Sequence, residues 1–391
     1  MTVPRNPSAG VVLPEAGLPT PAININQLPR VTFLDGIRGW ASVMVLLSHA
    51  VSCFLASKYT FLQSPWLIFM TDGNFAVSIF FVLSGIALTI NYFRTKDATV
   101  LLHLAVRRYP RLLVPIAAST FLGVAFFRLG LFYNHQAAPL LDGQWWLANH
   151  FSDARTLPEI LHFVGVEVFT QPVFPWGYNI NLWTMNIEFM GSFAVIFFCL
   201  LVCPLKRAWL VAVPALYAAF SMNFYAPFFL GVVLARFIHP LLEFSAQTRT
   251  KERCCLALSY ALLASGIVYS TLSRHLPMDK PTIVQTSQLS TLFAGIVIVS
   301  VIINKHFRRL LATPLSKRLG LLSFPLYLTH MVVICSFSSF LYLHLRHLDG
   351  PVLCLILIPA TIIVSLLLAY AFAPVEILAI ALSRRLSRLI V

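Results

Sequence analysis

The chain has 391 residues, of which 58% are hydrophobic and only 11% charged, with a mean hydropathy of +0.81. Soluble domains average about a quarter charged residues, so these figures exclude a soluble globular enzyme and indicate a polytopic membrane protein. The net charge of +14 is distributed as flanks of apolar segments, so no nucleic-acid partner is expected.

Residues 1–32 are Pro-rich, lack the apolar core of a secretory signal and read as a disordered cytosolic tail. Residues 33–373 read as one all-α transmembrane bundle of about ten spans. These lie near 37–57, 74–92, 112–132, 183–203, 209–223, 224–239, 254–272, 285–303, 323–345 and 351–373. The closing stretch, 374–391, "PVEILAIALSRRLSRLIV", alternates apolar and basic residues at helical spacing, as an interfacial amphipathic helix does.

With the N-terminus in the cytosol, only Lys58, Arg128, Arg155, Arg274, Lys280 and Arg346 fall on the far side. Such a bias predicts both termini in the cytosol and an even number of spans. The seven cysteines lie in or beside apolar segments, which argues against a disulfide framework or a zinc site, and no metal is expected. The long far-side loop, about 133–182, carries "QWWLANHF" and "PWGYNINLW". It is either an ordered cap on the membrane or a plain aromatic belt at the interface.

Ionisable groups inside a span cost several kcal/mol unless partnered, so they default to a functional reading. In "FLDGIRGWASVMVLLSHA", Arg38 and His49 are separated by about 1100° of helical rotation, three turns plus roughly 20°, and by about 16 Å of rise. Both therefore project from one face. Arg38 could merely snorkel to headgroups; a packing role for His49 is harder to sustain, because a membrane interior offers it few partners. Ser84-Gly85 in the second span permits close approach by a helix or a ligand. Arg107, Arg108 and Arg111 at the mouth of the third span are either positive-inside flanks or bidentate phosphate ligands. Glu188 in the fourth span needs a partner, with His49 or a far-side arginine as candidates. Ser323, Tyr327 and His330 share a face of the ninth span. "HLRHLD", His344 to Asp349, matches a His-x4-Asp pattern only by coincidence, since no accompanying blocks occur; nucleotide-binding and serine-hydrolase motifs are absent. Intramembrane Arg, His and Glu would also suit a proton-coupled carrier, but no repeated halves are visible.

Taken in order, "LDGIRGWASVMVLLSH", "FFVLSGIAL", "RRYPRLLVP", "LWTMNIEF", "FFLGVVLA" and "SFPLYLTH" resemble the acyltransferase-3 family of membrane O-acyltransferases, from residue 34 to about 332. The resemblance implies ten helices, an acetyl-CoA or other acyl-CoA donor on the cytosolic side, and transfer to a hydroxyl. It implies that His49 is the catalytic histidine, with Arg38 and Glu188 as catalytic partners. It implies that Arg107, Arg108 and Arg111 hold the donor and that Trp183 and His330 lie at the substrate site, where Ser84 and Tyr327, with Arg38, are the candidate donors to an oxyanion. "GWAS" departs from the family pattern, because Trp40 stands where small apolar residues are usual. The single-domain form looks most like fungal members that acylate hydrophobic small molecules such as terpenoids or polyketides. A glycan or lipid-linked sugar is the alternative acceptor. The expected setting is the endoplasmic reticulum or plasma membrane, among membrane lipid.

Overall fold

The computed structural model describes residues 31–142, 145–151, 156–171, 179–204, 212, 223–272 and 283–390. Among these residues every regular element is helical. That is what a bilayer demands of exposed backbone, since each N–H and C=O must be paired within its own segment. The main helices are α1 (Thr32–Leu47), α2 (Gly73–Thr95), α3 (Thr99–Arg128), α4 (Trp183–Leu201) and α5 (Ala226–Ala246). They continue with α6 (Arg249–Leu272), α7 (Ile283–Ile303), α8 (Lys305–Leu311), α9 (Pro314–Val333) and α10 (Gly350–Ile390).

Seven helices are each long and apolar enough to cross a bilayer, or eight if the bent pair α7–α8 is one span. The expected ten is not reached among the described residues, for two visible reasons. α1 has only 16 residues, and the rest of the expected first span is the π-helical turn Ser48–Cys53. The expected fifth span, 209–223, lies almost wholly outside the described residues, as does most of the 1–32 tail. The expected break at 373 is also absent. α10 is one helix of 41 residues running through Pro359 and Pro374, roughly 60 Å long, so residues 374–390 extend the last helix instead of forming a separate interfacial one.

Polar residues set the ends of these helices. Asp72 caps α2, accepting from the Phe75 N–H at 3.0 Å and from the Ser270 hydroxyl at 2.7 Å, which ties α2 to α6. Asn304 separates α7 from α8: its side-chain oxygen accepts from the N–H groups of His306 and Phe307, while its amide donates to Ser259 at 2.8 Å. The chain turns by 98° there.

α1 packs along α9, α2 along α5, and α3 along α10. Lipid supplies no hydrophobic drive for such contacts, so close backbone approach through small residues replaces it. A Cβ at Gly39 would meet the Gly320 nitrogen at 2.5 Å, and one at Gly85 would collide with the Phe228 carbonyl. Gly85 thus serves helix packing. Residues 133–142 and 145–151 build an ordered cap over the ends of α1 and α9, whereas 156–171 pack on α3 and α4, with the Tyr109 hydroxyl donating to the Gly165 carbonyl at 2.8 Å. Leu141, Leu147 and Phe151 are buried with Leu46, Phe54 and Leu326, and the Asn134 amide donates to the Leu147 and His150 carbonyls at 2.9 Å each.

Candidate active site

α1, α2, α3, α4, α9 and α10 enclose a cavity of about 830 Å³. Seven guanidinium groups line it, from Arg38, Arg94, Arg107, Arg108, Arg111, Arg384 and Arg388, against the carboxylates of Asp35, Glu188 and Glu376. Ser84, Ser323 and Tyr327 also face it. The cation excess makes the cavity a site for a polyanion.

Glu188 is not placed against His49, as the sequence reading allowed. It forms an ion pair with Arg108 and accepts from the Ser84 hydroxyl at 2.8 Å. Both partners are largely buried, at 12% and 14% side-chain exposure, so Arg108 neutralises a carboxylate that lipid would otherwise penalise. Arg38 lies beside Asp35 at 3.9 Å on the cavity wall. About 16 Å of helix separates it from His49, so Arg38 belongs with the other arginines of the cavity wall. Arg111 experiences attraction from Glu376 and repulsion from Arg108, Arg38 and Arg107. Trp183 does not line the cavity; it packs edge-on against Phe224, with ring centroids 5.1 Å apart.

At the inner end of the cavity the Tyr327 hydroxyl meets Thr184 at 2.8 Å and donates to the Asn181 carbonyl at 3.0 Å. One turn along α9, His330 lies against His49. His330 Nδ1 is 2.8 Å from the Leu326 carbonyl oxygen, and a carbonyl only accepts, so Nδ1 carries the proton in the neutral ring. His330 Nε2 is then an acceptor. It faces His49 Nδ1 at 2.9 Å and the Asn181 amide nitrogen at 3.3 Å. His49 therefore donates from Nδ1, which leaves its Nε2 with a lone pair. Among the described residues nothing bonds to that nitrogen.

His49 is stacked between His330 and Trp146, with ring centroids 5.1 and 5.4 Å away. Trp146 belongs to the cap and meets His150 edge-on at 4.4 Å. Burial, with a smaller contribution from His135, pushes the pKa of His150 down to about 3, so this ring is neutral at pH 7. His49 thus sits where the end of α1, α9 and the cap converge.

Sequence reasoning missed Asn181, Trp146, Glu376, Arg384 and Arg388. Asn181 and Trp146 lie in loop stretches whose polar and aromatic residues read as interfacial. The basic residues of α10 read as a membrane-surface face. A buried asparagine at the start of a span was the one signal that could have been used.

Comparison with known proteins agrees with this chemistry. Residues 31–370 match the model of the acyltransferase-3 family, described as an acyltransferase domain. A 206-residue stretch is 25% identical to the O-acetyltransferase PaAT-1 of Phomopsis amygdali. That match covers 44% of this chain and spans 40% of the length of the relative. No solved structure matches the chain. A family match extending over most of the sequence, on an all-helical membrane architecture, establishes that the chain belongs to the acyltransferase-3 family.

Proposed function

We propose that this protein is a membrane O-acyltransferase that moves a short acyl group, acetyl above all, from acyl-CoA to a hydroxyl of a hydrophobic small molecule. The observation that carries the reading is one arrangement: an arginine-walled cavity ends at Tyr327, one helical turn from a histidine pair whose bonding leaves His49 Nε2 as a base.

The donor's phosphates lie among the guanidinium groups, and its thiol arm extends past Ser323 and Tyr327 toward His49. The acceptor approaches from the cap, with Trp146 as an apolar wall. His49 Nε2 takes the hydroxyl proton as the oxygen attacks the thioester carbonyl, so a C–O bond forms and charge collects on the carbonyl oxygen. Collapse of that oxyanion breaks the C–S bond, and the proton on His49 passes to the leaving thiolate. Meanwhile His330 Nε2 accepts from His49 Nδ1–H and spreads the imidazolium charge. The Tyr327 ring lies 6.2 Å from that of His330, and its hydroxyl serves the oxyanion if it exchanges its bond to Asn181.

The fungal origin of the matched O-acetyltransferase and the apolar approach favour a hydroxylated terpenoid or polyketide as acceptor. We place the protein in the endoplasmic reticulum or plasma membrane, and its basic-residue asymmetry supports both termini on the cytosolic side.

The test uses purified protein with radiolabelled acetyl-CoA and a hydroxylated terpenoid. His49→Gln keeps polarity and approximate volume yet cannot take a proton at neutral pH, and it is expected to lose about 10² to 10⁴ in kcat. Near-normal turnover per folded molecule in this variant would remove His49 from the chemistry. An inactive wild type with acyl-CoA would remove the donor assignment.

A further inference from the structure

The family match ends at residue 370, but the cavity wall does not. α10 continues as one helix to Ile390 and packs along α3. Arg384 and Arg388, one turn apart on the same helix face, both line the cavity, whereas their neighbour Arg385 does not. Their charges act repulsively on Arg107 of α3. Among the described residues none of these three arginines has a carboxylate partner. Packing of α10 on α3 therefore holds three like charges together, an arrangement that an anion would relieve.

The position of this cluster within the cavity indicates which anion. Along α3, Arg107 sits with Arg384 and Arg388, Arg111 sits with Glu376 and Arg38, and Arg108 is committed to Glu188. Ser323 and Tyr327 come at the histidine end. The arginine cluster shared by α3 and α10 is thus the end remote from His49. A coenzyme A thioester is equally directional. Its reacting carbonyl is at one end, its diphosphate lies in between, and its 3′-phosphate is carried on the ribose at the other end. That 3′-phosphate is a monoester with a charge of about −1.5 to −2 at neutral pH, enough to require more than one cation.

Resting on the acyl-CoA reading above, we propose that Arg384 and Arg388, with Arg107, form the subsite for the donor's 3′-phosphate, so that the extension of the last helix beyond the family domain selects the intact coenzyme. A phospholipid headgroup offers similar phosphate chemistry, and the test separates the two sources.

Steady-state kinetics are measured on the full chain in nanodiscs of phosphatidylcholine alone and of phosphatidylcholine with phosphatidylglycerol, using acetyl-CoA and 3′-dephospho-acetyl-CoA. In the wild type the dephosphorylated donor is expected to raise KM about tenfold, the worth of a charge-assisted contact. R384A/R388A raises KM for acetyl-CoA by about as much, leaves kcat within about twofold and barely changes KM for the dephosphorylated donor, as a coupled pair requires. R385A changes neither. In the wild type, adenosine 3′,5′-bisphosphate competes with acetyl-CoA about tenfold better than adenosine 5′-phosphate does, a comparison that needs no variant.

Equal KM for both donors in the wild type, equal competition by the two nucleotides, or equal losses with both donors in R384A/R388A would each overturn the proposal. A defect confined to nanodiscs containing phosphatidylglycerol would assign the cluster to lipid. Absence of transfer from either donor would instead reject the acyl-CoA reading itself.

Discussion

At the scale of single residues, two polar pairs divide the work of this membrane interior. The His49–His330 pair owes its tautomers to one carbonyl, that of Leu326, and the effect passes ring to ring until it leaves a lone pair on His49 Nε2. His330 is thus a positioning residue. His330→Phe keeps a flat ring but offers His49 no acceptor, so kcat should fall by about 10² to 10⁴ with the donor KM unchanged, as when a triad histidine loses its orienting partner. His330→Gln can still accept through its side-chain oxygen and should recover part of the loss. Equal kcat in the Phe and Gln variants would show that His330 only fills space. The Arg108–Glu188 pair is structural by contrast. Glu188→Gln leaves a mostly buried guanidinium without its counter-charge, which costs on the order of 3 kcal/mol. Its thermal midpoint should therefore drop, and Arg107→Ala should leave the midpoint near wild type. Matching midpoints for the two variants would argue against this division.

At the scale of elements, helix packing through small residues and the cap over His49 are both testable. Gly85→Leu would push its side chain into the Phe228 carbonyl across the α2–α5 seam. It should lower folded yield sharply, because a membrane helix pair has little besides close packing to hold it. Normal yield would mean the seam can open. In the cap, the pKa of His150 is depressed from 6.5 to about 3, so the closed cap excludes a proton that the open cap binds. This contribution to closure is fully present above about pH 6.5 and is lost as pH falls toward about 3, amounting to about 2 kcal/mol by pH 5. Hydrogen exchange over 134–150, corrected for intrinsic rate, should show weaker protection at pH 5 than at pH 7. His150→Gln should abolish the difference, and unchanged protection in the wild type would refute the argument.

At the scale of the whole molecule, the arginines gather at one end of the bundle, and the cap closes over His49 elsewhere. The basic asymmetry of the sequence predicts that the cap is on the non-cytosolic side. A cysteine introduced at Gln136, an exposed cap position, should react with an impermeant maleimide only from the non-cytosolic side of sealed membranes. Cys254, exposed at the start of α6, serves as the native reporter for the opposite face. Labelling of position 136 from the cytosolic side would invert the topology.

The chain alone determined the class, several of the spans and about half of the polar residues that line the cavity or adjoin it. Those follow from local hydropathy and from the cost of burying any ionisable group in lipid, and both are properties of one segment at a time. Arg38, Ser84, Arg107, Arg108, Arg111, Glu188, Tyr327 and His330 could be singled out on that basis. Which of them meet could not, because a partner is chosen by how helices from distant parts of the sequence pack. Only the tertiary structure paired Glu188 with Arg108 instead of His49, set His330 beside both His49 and Asn181, and moved Trp183 to a packing contact. It also brought Arg384 and Arg388 to the cavity, since a helix that reads as amphipathic surface in isolation becomes a cavity wall once it continues along α3.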